Sequence, residues 1–390
     1  MEYFKFHEWE LSRLGLGCMR LPTKGERGPV DEEKAIALIR YAYEHGINYF
    51  DTAYRYHEGE SELVTGKALS VYPRESYHLV SKFPGHMLVK TEDGRLAFTG
   101  FPGRKVYFAD PAEIFETQLK KCGVDYFDIY HLHNLNENSI NFYSDESVGV
   151  VEYLIEQKKA GRIRHLGFTS HGSAETIARF LDRYPGVFEA VQIQINYLDW
   201  TLQDAKRKYE VITERGIPVI SMESIRGGAL ARLPEKGAVI LKAAQPETSQ
   251  AAWALRWLMT LPNLKLVLSG MSTMEQLKEN LAIFDDPKPL TEEEKQVVES
   301  AVASLVDRVP CTGCRYCTEG CPMGLNIPGI ISMYNEAQFG GSFAVAMAVR
   351  GMKEEELPTA CVGCGACAAV CPQGIDVPTV MLKAAEYLHK

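Results

Sequence analysis

The chain lacks a long apolar run: none of its 390 residues belongs to a stretch of roughly 18 or more uncharged hydrophobic residues, so no membrane-spanning helix is expected. Its start, Met1-Glu2-Tyr3-Phe4-Lys5, has neither the basic segment nor the apolar segment of a secretory signal. Positive charge is not in excess. With 42 Lys and Arg against 51 Asp and Glu, the net charge of −9 argues against nucleic acid or an anionic membrane as partner. A cytoplasmic protein is the expectation. Cysteine is almost missing from the first 310 residues, where only Cys18 and Cys122 occur. No apolar strand-like run is followed directly by GxGxxG, which speaks against a doubly wound dinucleotide-binding sheet.

What is present is a rhythm. Apolar, strand-like runs fall at 14–21, 47–51, 77–82, 127–133, 163–169, 189–195, 217–222 and 264–269. Helical patterns separate them: Ala35, Leu38, Ile39 and Ala42 share one face of the first, and the others are expected at 60–70, 110–122, 147–160, 173–183, 202–215, 247–261 and 273–284. Gly123, Gly161 and Gly216 stand where helices should end. Eight such units predict an α/β fold, a (β/α)8 barrel over about residues 1–290. Before it, residues 4–11 alternate weakly, as a short hairpin would.

Three polar residues close barrel strands: Asp51, Lys82 and His133. Tyr56 follows Asp51 by five residues. Strand ends of a parallel barrel meet at one face, so these four side chains are expected together as a proton-donating group. His131 and Tyr54 are read as structural neighbours. Residues 84–109 interrupt the rhythm directly after the strand that carries Lys82, with a possible hairpin at 88–90 and 96–98, and are read as a lid, a substrate-selecting loop, surface decoration or a contact with the cysteine domain.

The remaining eight cysteines lie after residue 310, in the pattern C-x2-C-x2-C-x3-C-P written twice: Cys311, Cys314, Cys317, Cys321, then Cys361, Cys364, Cys367, Cys371. Thiolates at this spacing hold [4Fe–4S] clusters, and in two-cluster ferredoxins the fourth cysteine serves the other cluster. Two clusters are therefore expected, one on Cys311, Cys314, Cys317 and Cys371, the other on Cys361, Cys364, Cys367 and Cys321. Zinc sites take ligands in pairs and do not favour a third cysteine before Cys-Pro. The apparently helical segment 327–357 between the motifs resembles an α-helical ferredoxin, and residues 291–390 are read as this second domain with its linker helix.

With these residues in view, the whole chain resembles an aldo/keto reductase of the branch carrying a C-terminal 4Fe–4S domain. The resemblance rests on Leu16-Gly17-Cys18-Met19-Arg20-Leu21-Pro22, on Gly123-Val124-Asp125-Tyr126-Phe127-Asp128-Ile129-Tyr130, and on the tetrad Asp51, Tyr56, Lys82 and His133. It implies hydride exchange between NAD(H) or NADP(H) and a small carbonyl or alcohol, with Tyr56 as general acid and base. The Lys82 ammonium is expected to lower the Tyr56 pKa. For the cofactor it implies Thr169, Ser170 and Gln192 at the carboxamide, Met222 in place of the aromatic that stacks on the nicotinamide, and Glu279 and Asn280 near the adenine. Gly270 and Gln276 stand where members preferring NADP place cations, which speaks against a strong preference for the 2′-phosphate. The alternative is a redox protein whose clusters exchange electrons with a ferredoxin-type partner or a substrate, nicotinamide being dispensable.

Overall fold

Short, largely apolar segments build the strands of this protein. The structure is a computed structural model that describes residues 1–25, 28–101, 103–305, 309, 311, 315–338 and 343–388. Strands β1 (Tyr3–Phe6) and β2 (Trp9–Ser12) form an antiparallel hairpin. Then come β3 (Leu14–Gly17), β4 (Tyr49–Asp51), β5 (His78–Phe83), and the trio β6 (Leu88–Lys90), β7 (Leu96–Phe101) and β8 (Arg104–Phe108). The series ends with β9 (Phe127–Leu135), β10 (Ile163–Ser170), β11 (Ala190–Gln194), β12 (Val219–Met222) and β13 (Leu264–Ser269).

β3, β4, β5, β9, β10, β11, β12 and β13 close into a parallel eight-stranded barrel, as expected. Its strands are apolar on both faces because helices cover the outside and side chains fill the inside. Phe6 and Leu11 of the hairpin join Tyr49, Val80, Ile129, Ala190, Ile220 and Leu266 in one buried cluster, so β1 and β2 stopper one end of the barrel. Five of the helices in the barrel unit begin on hydrogen-bonding side-chain caps. Asp31, Asp110, Ser173, Ser249 and Thr273 each accept from a backbone N–H of the first turn. A helix over Glu235–Ala244 was not among those expected. Segment 84–109 holds a three-stranded antiparallel sheet rather than a lone hairpin.

Contacts divide the chain into two units. One comprises Met1–Tyr197, Asp204–Arg232 and Thr248–Glu292; the other comprises Leu198–Gln203, Leu233–Glu247 and Glu293–Lys390. Within the second, the cysteine repeat is also a structural repeat. Helix Tyr316–Glu319 corresponds to Ala366–Ala369, and Ile327–Ala337 to Val377–Leu388. Leu325, Ile327, Ile330, Ile331, Ile375, Val377, Val380 and Met381 pack into a core of their own. No helix among the described residues is long and apolar enough to cross a membrane.

Candidate functional site

Asp51 ends β4, Lys82 is the penultimate residue of β5 and His133 lies near the end of β9, so barrel topology alone delivers three of the four expected side chains to one place. Lys82 is fully buried and donates to Asp51 Oδ1 at 2.5 Å and to the Thr52 carbonyl at 2.8 Å. Its ammonium stands 4.8 Å from the centre of the Tyr56 ring, and the His133 ring meets Tyr56 edge-on at 5.8 Å. The structure brings the four together.

Burial pulls the Lys82 ammonium down, yet Asp51 and Tyr56 outweigh it and hold the group above its ordinary value, hence charged. Tyr56 corrects one expectation. Its phenol is pushed up rather than down, because burial penalises the phenolate by more than Lys82 stabilises it. His133 is held well below the usual imidazole range, by burial first and then by His86 and Lys82, so the ring is neutral. His131 is fully buried below it and pressed against Gly167, where a Cβ would stand 2.5 Å from His131 Nδ1. Burial takes its pKa to about 3, in keeping with a structural role.

His86 is a site residue the sequence did not announce. It comes from the insert, and its ring meets that of His133 at 4.5 Å. Gly85 makes the approach possible: any Cβ there would lie 2.3 Å from the Tyr143 ring, whose hydroxyl reaches the His133 carbonyl at 2.6 Å. The one local signal is Pro84-Gly85-His86, which opens the insert two residues after Lys82. The insert grips the Tyr56 loop as well. Arg55 Nε donates to the Gly100 carbonyl at 2.6 Å, and Tyr54 packs edge-on against Phe98 at 4.9 Å, beside Phe101 and Phe108.

The expected cofactor residues sort into two groups. Gln192 is buried beside Thr169 in the register of β10 and β11, and its Oε1 has no hydrogen-bond partner, as a group awaiting an amide would. Met222 ends β12 and is partly exposed. Glu279 is exposed. Thr169 and Ser170, by contrast, turn their hydroxyls to the backbone: Thr169 accepts from the Asn134 amide at 2.8 Å, and Ser170 donates to the Leu135 carbonyl at 2.7 Å. Asn280 is buried and donates to Ser269 at 3.0 Å. These three hold the rim together. Gly270 is not a cation-free position either. The Arg20 side chain lies across it, within 3.4 Å of where a Cβ would stand, and reaches toward Glu223 at 4.0 Å. A guanidinium from the loop after β3 thus supplies charge that the sequence around 270 and 276 lacks. The orphaned Gln192 oxygen and this cation fit a nicotinamide dinucleotide.

Two cavities lie in the cysteine unit. One is lined by Cys321, Cys361, Cys364 and Cys367, with Pro322, Leu325 and Val377. The other is lined by Cys311, Cys317 and Cys371, with Arg315, Pro372 and Ile375. Cys314 lies outside the described residues. Cys317 and Cys367 are buried, Cys311, Cys321, Cys361 and Cys371 partly so, and Cys364 is exposed; none of these is in a disulfide. Thiols gathered around apolar hollows, each hollow drawing its fourth cysteine from the other repeat, suit iron–sulfur chemistry.

The description "Aldo/keto reductase family" matches residues 13–303, and "4Fe-4S dicluster domain" matches residues 310–375. Similar proteins include a probable aldo-keto reductase 1 of Glycine max, 31% identical over 223 residues, 56% of this chain and 58% of that one. The chain thus spans less than two thirds of that relative. The L-galactose dehydrogenase of Arabidopsis thaliana is 27% identical over 312 residues, 74% of this chain and 89% of that one. Among solved structures, the holo form of an aldo-keto reductase from Bacillus halodurans is 26% identical with a TM-score of 0.60, covering 77% of this chain and 96% of that one. The chain is an oxidoreductase of the aldo/keto reductase family, with a 4Fe–4S dicluster domain at its C-terminal end.

Proposed function

We propose that the barrel exchanges hydride between NAD(H) or NADP(H) and a small carbonyl or alcohol, with Tyr56 as the proton donor and acceptor. The buried Lys82 ammonium, held between Asp51 and Tyr56, is the observation that carries this reading. When bound, the nicotinamide supplies or accepts the hydride. The side chains manage the proton and the developing charge. Tyr56 passes its phenolic proton to the carbonyl oxygen as the carbon is reduced; in the opposite direction the phenolate takes the proton of the alcohol. Lys82 steadies the phenolate left behind, and Asp51 keeps Lys82 charged and in place. His133, neutral, offers hydrogen bonding to the same oxygen without competing as an acid. Gln192 orients the carboxamide, Met222 packs on the ring, Glu279 meets the adenine end, and the Arg20 guanidinium offers charge to the phosphates. The L-galactose dehydrogenase relationship favours small oxygenated substrates.

The raised phenol sets the pH dependence. A protonated Tyr56 is the form that serves reduction, so reductive kcat/KM is expected to stay level through neutrality and to fall only above about pH 10. Alcohol oxidation, which needs the phenolate, should rise with pH over the same range. Anaerobic assays of small aldehydes and alcohols with NADH and NADPH check both arms; a reductive rate that collapses between pH 6 and 8 would assign the proton to a group of ordinary imidazole pKa (about 6.5) instead.

We further propose that the cysteine cavities hold two [4Fe–4S] clusters, on Cys311, Cys314, Cys317 and Cys371 and on Cys321, Cys361, Cys364 and Cys367. Anaerobically purified protein is expected to carry about eight iron and eight sulfide per chain, and Cys364→Ser about half of the iron. Trace iron, or zinc in its place, would reject the assignment. The exposure of Cys364 favours a second role, electron exchange with an external ferredoxin-type carrier through the neighbouring cluster. That role predicts that reduced viologen oxidises on wild-type protein and that Cys364→Ser loses the exchange while nicotinamide-linked turnover survives.

A further inference from the structure

The stoppered end of the barrel, remote in the strand direction from Asp51 and Lys82, carries a second group of ligand-type side chains. His7 occupies the two-residue turn between β1 and β2 with φ of 51°, a left-handed backbone for which such turns ordinarily select glycine, asparagine or aspartate. A histidine there accepts backbone strain, and what it gains is contact. Its ring stacks on that of His165, near the start of β10, at 4.4 Å and 17°. Glu189, just before β11, completes the group: His7, His165 and Glu189 each bring a ligand atom within 4.8 Å of the others. Strain of this kind at a cluster of metal-binding side chains points to a function for the cluster.

The surrounding contacts sort the donor atoms. His165 Nε2 faces both carboxylate oxygens of Glu8 at 3.2 Å, while its Nδ1 lies 3.2 Å from Glu189 Oε2. A carboxylate on one ring nitrogen with the other nitrogen turned to a metal is the arrangement by which proteins fix the tautomer of a ligating histidine. Lys158 and the Leu166 amide also meet Glu189 at Oε2, which leaves Oε1 for an ion. Phe6 and Trp9 edge the His165 ring at 5.3 and 4.6 Å and hold it in this orientation.

We propose a zinc site at this end of the barrel, with His7, His165 Nδ1 and Glu189 as protein ligands and Glu8 as the residue that positions His165. Two imidazoles and a carboxylate suit zinc, with water in the fourth position; the exposed His7 ring would turn out of its stack on His165 to direct a nitrogen at the ion, since near-parallel rings cannot both hold one ion in their planes. The ion would tie the hairpin turn to β10 and β11 and has no part in the chemistry at the opposite end.

The test uses anaerobically purified protein of measured iron content, titrated with zinc chloride against a chromophoric zinc chelator. Wild type should take up one zinc per chain with no loss of iron, and its unfolding temperature should rise with the zinc. His7→Asn keeps a residue that tolerates the left-handed turn but removes the imidazole. It and Glu189→Gln should abolish the uptake, and Glu8→Gln should weaken it about tenfold or more. Iron content and carbonyl turnover should be unchanged in all three variants. Wild type that binds no zinc at submillimolar concentration overturns the site, as does uptake that persists in both His7→Asn and Glu189→Gln. Zinc uptake matched by loss of iron would place the metal in the cysteine motifs and overturn it equally.

Discussion

Tyr56→Phe is expected to lower kcat for carbonyl reduction by about 10²–10⁴-fold, the range that general acid–base catalysis supplies. The substitution removes one oxygen. The ring that stands 4.8 Å from Lys82 and edge-on to His133 remains, so fold and cofactor affinity should hold. A raised phenol pKa does not undermine the role, since an alkoxide forming at the substrate is a stronger base than any phenolate and draws the proton regardless. Steady-state rates with a saturating nicotinamide, together with a fluorescence titration of the cofactor, separate the loss of chemistry from a loss of binding. Turnover near wild type would move the proton transfer to another group.

The second large effect concerns stability. Asp51→Ala strips the partner from an ammonium with no exposed surface, and breaking a buried pair in this way costs about 3–5 kcal/mol. Urea or thermal unfolding of the anaerobic protein should register the loss directly, alongside a fall in turnover. Asp51→Leu combined with Lys82→Met replaces both charges by apolar groups, a change that is often neutral for stability. The double variant should recover most of the stability and none of the activity. Equal losses of stability in single and double variants would mean that the pair serves packing alone.

Much of this site is written locally in the chain. Asp51, Lys82 and His133 each end an apolar run, and a parallel barrel has only one face on which such ends can meet. The cysteine motif is more explicit still, because thiolate spacing is itself the chemistry. What the sequence hides is the outcome of competition. Thr169 and Ser170 carry hydroxyls suited to a carboxamide, but Thr169 accepts from the Asn134 amide and Ser170 donates to the Leu135 carbonyl, and no local pattern predicts these backbone partners. Arg20 is separated from Gly270 by most of the barrel sequence and reaches it only because β3 and β13 are neighbours in the closed sheet. His86 is hidden for a similar reason: its position depends on an insert whose third strand, β8, lies beyond the two segments that alternate clearly. The Lys82 effect on Tyr56 was expected with the right sign, but burial, which only the folded structure sets, is the larger influence.

The insert's hold on residues 54–59 carries a consequence for how such an enzyme changes its substrates. Arg55 is bonded to Gly100, and Tyr54 is wedged among three phenylalanines of the same sheet, with Tyr56 next along the chain. A substrate-facing loop is usually free to drift in evolution because the acid it covers is anchored elsewhere. In the proposed mechanism the wall of the site and the backbone that presents the acid are one mechanical body. Any exchange of this segment for another of different shape would retune the proton donor at the same time as the pocket, so breadth of substrate and strength of catalysis would have to be selected together.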